Sequence, residues 1–115
     1  MTGELRTAYL VVEDMDAAVA FYTTLLGAEP SLRDGGRWAE FRTGGCRLAL
    51  SSVEEAATPD TRVALVFDIA TLEPAIALLE EAGAVLLSTR DMGSHGRTAA
   101  LRDPAGHTFQ LYARN

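Results

Sequence analysis

The 115-residue sequence contains no lysine; its ten basic residues are all arginine, set against sixteen acidic ones, for a net charge of −6 at neutral pH. A phosphate backbone meets a repulsive average field, and no arginine cluster reverses it locally, so nucleic acid is not an expected partner. The single cysteine, Cys46, excludes an internal disulfide and any cysteine-built zinc site. Only two histidines occur, His95 and His107. No apolar run approaches the roughly 20 residues of a membrane helix. Met1 to Thr7 has neither the basic start nor the apolar stretch of a secretory leader. No GxSxG elbow, Walker loop or Rossmann glycine pattern is present. The expectation is a soluble cytoplasmic protein, and the mild acidity reads as ordinary solubility.

What is present is a chain of one domain's size, 48% hydrophobic and 23% charged, which is ordinary globular composition. Leu5 to Val12 reads as a strand. Asp14 or Asp16 can cap a helix running to Leu26, where Gly27 stops it, with Ala18, Phe21, Tyr22, Leu25 and Leu26 as its apolar positions. Ala28 to Leu32, Trp38 to Phe41 and Arg47 to Ser51 read as short strands, separated by Asp34-Gly35-Gly36 and Thr43-Gly44-Gly45. The order then recurs. Arg62 to Phe67 is a strand, and a helix follows from about Leu72, with Pro74 in its first turn and Ile76, Leu78 and Leu79 on its apolar side. After Gly83, the strands are Ala84 to Ser88, Arg97 to Leu101 and His107 to Tyr112.

The halves match in residues as well as in order. Asp14-Met15 parallels Asp68-Ile69, and Gly27-Ala28 parallels Gly83-Ala84. Gly36-Arg37-Trp38-Ala39-Glu40-Phe41-Arg42 parallels Gly96-Arg97-Thr98-Ala99-Ala100-Leu101-Arg102. This is a duplicated βαβββ unit, with one module over about 5–52, a linker over about 53–61, and a second module over about 62–113. The predicted class is α+β.

The run Leu10-Val11-Val12-Glu13-Asp14-Met15, the continuation Phe21-Tyr22 to Leu26-Gly27, and Arg102-Asp103-Pro104-Ala105-Gly106-His107 together resemble the vicinal oxygen chelate superfamily. That group includes glyoxalase I, extradiol dioxygenases and bleomycin-resistance proteins. The resemblance spans nearly the whole chain. It implies a glyoxalase/bleomycin-resistance-like fold, in which two βαβββ modules form a curved mixed sheet around a cleft, usually in a homodimer. Enzymes of the family hold a divalent metal on four cleft positions. The motifs place Thr7, Ala49, Arg62 and Gln110 there in this chain. Ala49 offers no lone pair, Thr7 only a neutral hydroxyl, and Arg62 a fixed positive charge. The expectation is no metal and no cofactor. His107 fits a turn, and His95 an exposed loop.

Strand alternation divides the remaining residues between two faces. Ala8, Leu10, Val12, Leu48, Leu50, Ala39, Phe41, Phe109 and Leu111 are assigned to the core. Thr7, Tyr9, Val11, Ala49, Ser51, Ala64 and Val66 fall on the cleft face. The candidate ligand-binding residues are therefore Tyr9, Trp38, Glu40, Arg47, Arg62, Gln110 and Tyr112. Aromatic surfaces with a few orienting polar groups suit a flat or extended organic molecule. Alternatively the aromatics fill the cleft or a dimer interface, and Arg62 pairs with Glu40. No catalytic constellation emerges. The leading expectation is a non-catalytic binder similar to bleomycin-resistance proteins, which sequesters a toxic, hydrophobic or aromatic natural product in clefts of a homodimer. Two alternatives stand beside it: a metal-independent or rebuilt-metal enzyme of the same fold, of lyase, isomerase or transferase type, using Glu40 or His95 as acid or base, and a dimeric structural or regulatory module with a vestigial cleft.

Overall fold

A computed structural model describes every residue, 1–115. The chain divides into two compact units. The first is Thr7–Ala64; the second joins Met1–Arg6 to Leu65–Asn115. The class is α+β, as expected, and the element order is that of a repeated βαβββ module. No helix is long and apolar enough to cross a membrane.

In the first unit, β1 (Glu4–Val11, shared at its start with the other unit) leads into α1 (Met15–Leu26). Asp14 is the cap: its carboxylate accepts the Ala17 N–H at 3.0 Å, a contact of the kind that contributes about 1 kcal/mol. Gly27 ends the helix in the left-handed region, φ 69°, where a side chain would be strained. Three strands follow, β2 (Leu32–Asp34), β3 (Trp38–Arg42) and β4 (Arg47–Ser51). They are ordered β2-β3-β4-β1, and β4 runs parallel to β1 while the other neighbours are antiparallel. The core is Met15, Val19, Ala39, Phe41 and Leu50, with Leu10, Val12, Ala18, Tyr22 and Leu48 packed on it.

Two expectations fail in this unit. Ala28 to Leu32 is not a strand: Pro30 has no N–H for a ladder, and pairing begins only at Ser31, whose N–H donates to the Glu40 carbonyl. Nor do Phe21, Leu25 and Leu26 reach the core; Phe21 is 63% exposed. The buried stripe of α1 is Met15, Ala18, Val19 and Tyr22, a tighter i, i+3, i+4, i+7 set.

The second unit contains the rest of β5 (Val63–Asp68), then α2 (Leu72–Glu81), β6 (Val85–Asp91), a short 3-10 turn (Gly93–His95), β7 (Arg97–Arg102) and β8 (Thr108–Ala113). Its strands are ordered β5-β8-β7-β6, with β5 parallel to β8. Ile69, Leu72, Ala75, Ile76, Ala99, Leu101, Leu111 and Ala113 make the core. Leu78, expected among them, is 48% exposed, because the buried stripe of α2 runs through Leu72, Ala75, Ile76 and Leu79 and passes it by.

Matching positions of the two modules have diverged in use. Asp14 caps α1, but its counterpart Asp68 lies four residues before α2 and caps nothing. Thr71 precedes that helix without a side-chain capping bond. The Asp68 carboxylate is instead held by Arg6, Nη1 to Oδ1 at 2.9 Å.

Candidate functional site

Register places the first unit's candidates on one face. Tyr9 lies opposite Ala49, and Ala49 opposite Glu40; one step along, Val11, Ser51 and Trp38 form the next row, and Thr7, Arg47 and Arg42 the row beyond. Residues opposite one another share a face, so Tyr9, Trp38, Glu40 and Arg47 stand together, as alternation implied. The methyl group of Ala49, fully buried, lies between Tyr9 and Glu40 in its row.

The side chains interlock. Trp38 and Tyr9 meet edge to face, with 5.5 Å between centroids and 61° between planes. The Trp38 indole N–H donates to Glu40 Oε2 at 2.8 Å. Arg47 Nε lies 3.9 Å from Glu40 Oε1. Glu40 therefore pairs with Trp38 and Arg47, not with Arg62. Arg62 is exposed and contributes its carbonyl, which accepts the Val11 N–H at 2.8 Å.

Tyr9 is only 1% exposed, so it backs the face rather than presenting itself to a ligand. Its hydroxyl accepts the Ala57 N–H at 2.9 Å. Burial pushes the phenol above its ordinary value, an effect the Ala57 N–H partly offsets. This contact gives the 53–61 segment a structural role: it folds onto its own unit, and Arg37 holds Glu55 at 2.7 Å. Trp38 is the partly exposed aromatic of the group.

Gln110 and Tyr112 belong to the second unit, on β8, where they lie opposite Val66 and Asp68. Sequence reasoning missed their most strongly charged neighbours. The Arg6 guanidinium lies over the Tyr112 ring, 4.2 Å from its centroid, while its Nη1 holds Asp68. The Tyr112 hydroxyl donates to the His95 carbonyl at 2.7 Å. A cavity of about 330 Å³ opens among Arg6, Asp68, Ile69, Ala70, Tyr112 and Arg114. Arg6 escaped notice because only its neighbour Thr7 matched a motif position; no pattern in the chain marks Arg114.

The family's metal does not fit the residues at its four positions. Thr7 and Ala49 are buried, Arg62 is a cation, and Gln110 is the one neutral donor of useful type. No three His, Cys, Asp or Glu side chains converge anywhere in the chain. His107 serves the Asp103-Pro104-Ala105-Gly106 turn: its N–H donates to Asp103 Oδ1 at 2.9 Å, and its ring lies 3.2 Å from Asp103 Oδ2.

Duplicated βαβββ units with mixed sheets and one helix each define a glyoxalase/bleomycin-resistance-like protein. The chain belongs to the Glyoxalase/Bleomycin resistance protein/Dioxygenase superfamily, whose family model matches residues 5–111. No protein of curated function matches it significantly. Among solved structures it is similar to a Legionella pneumophila protein described as an NAD-dependent benzaldehyde dehydrogenase, with 18% identity over 99% of this chain and 100% of that one, TM-score 0.79. A superfamily member from Vibrio splendidus aligns with 16% identity over 97% and 99% of the two chains, TM-score 0.71. Methylmalonyl-CoA epimerase from Mycobacterium tuberculosis aligns with 16% identity over 96% and 87%, TM-score 0.66. At these identities the likeness establishes the fold.

Proposed function

We propose that this protein is a non-catalytic small-molecule binder that sequesters a hydrophobic or aromatic natural product, in the manner of a self-resistance protein, acting as a cytoplasmic homodimer. The observation that carries this reading is the state of Trp38. Its indole is partly exposed, yet its edge is fixed by the Glu40 carboxylate and its ring by buried Tyr9. A rigid aromatic surface bordered by Arg47 binds a flat ligand with little loss of side-chain freedom. Glu40, the nearest candidate acid or base, already has one oxygen taken by the indole N–H and the other facing Arg47, which favours a positioning role over proton transfer. Arg62, exposed in the same unit, is a further contact for that ligand.

Trp38 is the sole tryptophan, so its fluorescence reports directly on this face. Titration with a panel of cytotoxic aromatic natural products, read by emission and by native mass spectrometry, is expected to give saturable quenching by an unaltered compound on a dimeric protein. A product mass in place of the added compound transfers the reading to an enzyme. A panel that leaves the emission unchanged removes the Trp38 face as a ligand site.

A further inference from the structure

We propose that the second unit carries a binding site for a small organic monocarboxylate, built from Arg6, Asp68, Tyr112 and Arg114. It is independent of the Trp38 face. The cavity among these residues measures about 330 Å³, near the lower end of the roughly 300–1,000 Å³ of small-molecule sites, a size suited to a single-ring acid.

The charges define the ligand. Two guanidinium groups against one carboxylate leave one positive charge in a molecule whose net charge is −6. Asp68 neutralises part of Arg6 and fixes its orientation at 2.9 Å, and the Tyr112 ring supports the guanidinium from below. Arg114 makes no ion pair or hydrogen bond, so its planar fork of donors is available to a carboxylate. A dianion would set its second charge against Asp68, which restricts the site to one negative charge. Ile69, Ala70 and the Tyr112 ring supply apolar wall for the body of the acid.

The walls are held from behind. The Tyr112 hydroxyl is anchored on the His95 carbonyl. A Cβ at Gly96 would stand 2.7 Å from the Tyr112 hydroxyl oxygen, so this ring lies directly against a glycine. Next to Arg114, the Asn115 amide donates to Asp91 Oδ1 at 3.2 Å and to the Gly93 carbonyl. The Gly93 N–H, and after it the Asn115 amide, hold the Asp91 carboxyl below the usual carboxylate range. The 92–96 loop thus braces both Tyr112 and the residue flanking Arg114.

The test is a titration of ¹⁵N-labelled protein with phenylacetate, phenylacetamide as its neutral counterpart, and inorganic phosphate. Phenylacetate is expected to shift the Ala70 and Arg114 amides and to saturate by about 10 mM. Phenylacetamide should leave them in place. Arg114→Ala, at an exposed position, should weaken phenylacetate about tenfold or more, with Arg114→Lys recovering part of the loss. Trp38→Phe should leave the titration unchanged, which separates this site from the one proposed above. Five results overturn the proposal: no saturation by that concentration, equal binding of the amide, phenylacetate binding unaffected in Arg114→Ala, phenylacetate binding abolished in Trp38→Phe, and tighter binding of phosphate at the same amides.

Discussion

Trp38 and Glu40, two residues apart on β3, are joined side chain to side chain: the indole N–H donates to the carboxylate at 2.8 Å on the face both share. Glu40→Ala removes the only acceptor recorded for that N–H. The cost should be about 1–2 kcal/mol, with a red shift of Trp38 emission as water reaches the indole. Glu40→Gln retains a carbonyl acceptor and should lose less. Urea unfolding followed by fluorescence measures both, and wild-type midpoints in the two variants would show that the bond carries no stability.

Gly96 has φ 95° and ψ −166°, a region essentially closed to other residues. A Cβ there would lie 2.7 Å from both the Ala113 carbonyl and the Tyr112 hydroxyl oxygen. Gly96→Ala should destabilise by about 2–4 kcal/mol, combining strain and overlap. Gly44, at φ 85° with open space around it, supplies the control: Gly44→Ala should cost about 1–2 kcal/mol from conformation alone. Equal losses at the two sites would mean that the Tyr112 contact relaxes without cost.

Tyr9→Phe strips the acceptor from the Ala57 N–H in a buried place, at about 1–3 kcal/mol. Hydrogen exchange at Ala57 should accelerate, since this bond pins the 53–61 segment. The raised phenol value also has a pH signature. A neutral phenol favoured by folding contributes stability that is complete below its unfolded value, about 10, and is lost as pH rises through the folded one. Alkaline unfolding of wild type should show this step and Tyr9→Phe should lack it; identical alkaline curves contradict the assignment.

Asp103 organises the β7–β8 turn by accepting the Ala105 and His107 N–H groups, each at 2.9 Å. The His107 backbone bond foremost holds its carboxyl below the usual range. A depressed carboxylate stabilises the turn above its unfolded value, near 3.9, and loses that effect as pH falls through the folded one. Exchange protection at Ala105 and His107 should therefore disappear in acid before the strands open, and Asp103→Ala should remove it at neutral pH. Protection that persists in the variant assigns the turn to its backbone alone.

Much of the fold was legible because it rests on local chemistry. Asp14 and Gly27 bound α1 as their side chains dictate, and alternation correctly sent Leu10, Leu48, Leu50, Ala39 and Phe41 to the core. Helix faces were less legible: Phe21 and Leu25 have helical spacing, but which arc is buried depends on the sheet beneath. The Tyr9–Trp38–Glu40–Arg47 group could be assembled from period two alone. The pairing of Glu40 with Trp38 could not, since an i, i+2 bond depends on rotamers. Arg6, Asp68 and Arg114 come from the start, the middle and the end of the chain, and nothing in their spacing announces that they line one cavity.

The first six residues belong to the second unit, and the 53–61 segment belongs to the first. A protease cut in that segment therefore does not release two equal repeats. Residues 62–115 alone would keep Tyr112 and Arg114 but leave behind the guanidinium that covers the ring and neutralises Asp68. The repeat visible in the sequence is thus out of phase with the two compact units, and a half-length fragment is predicted to need its missing N-terminal peptide added back in trans.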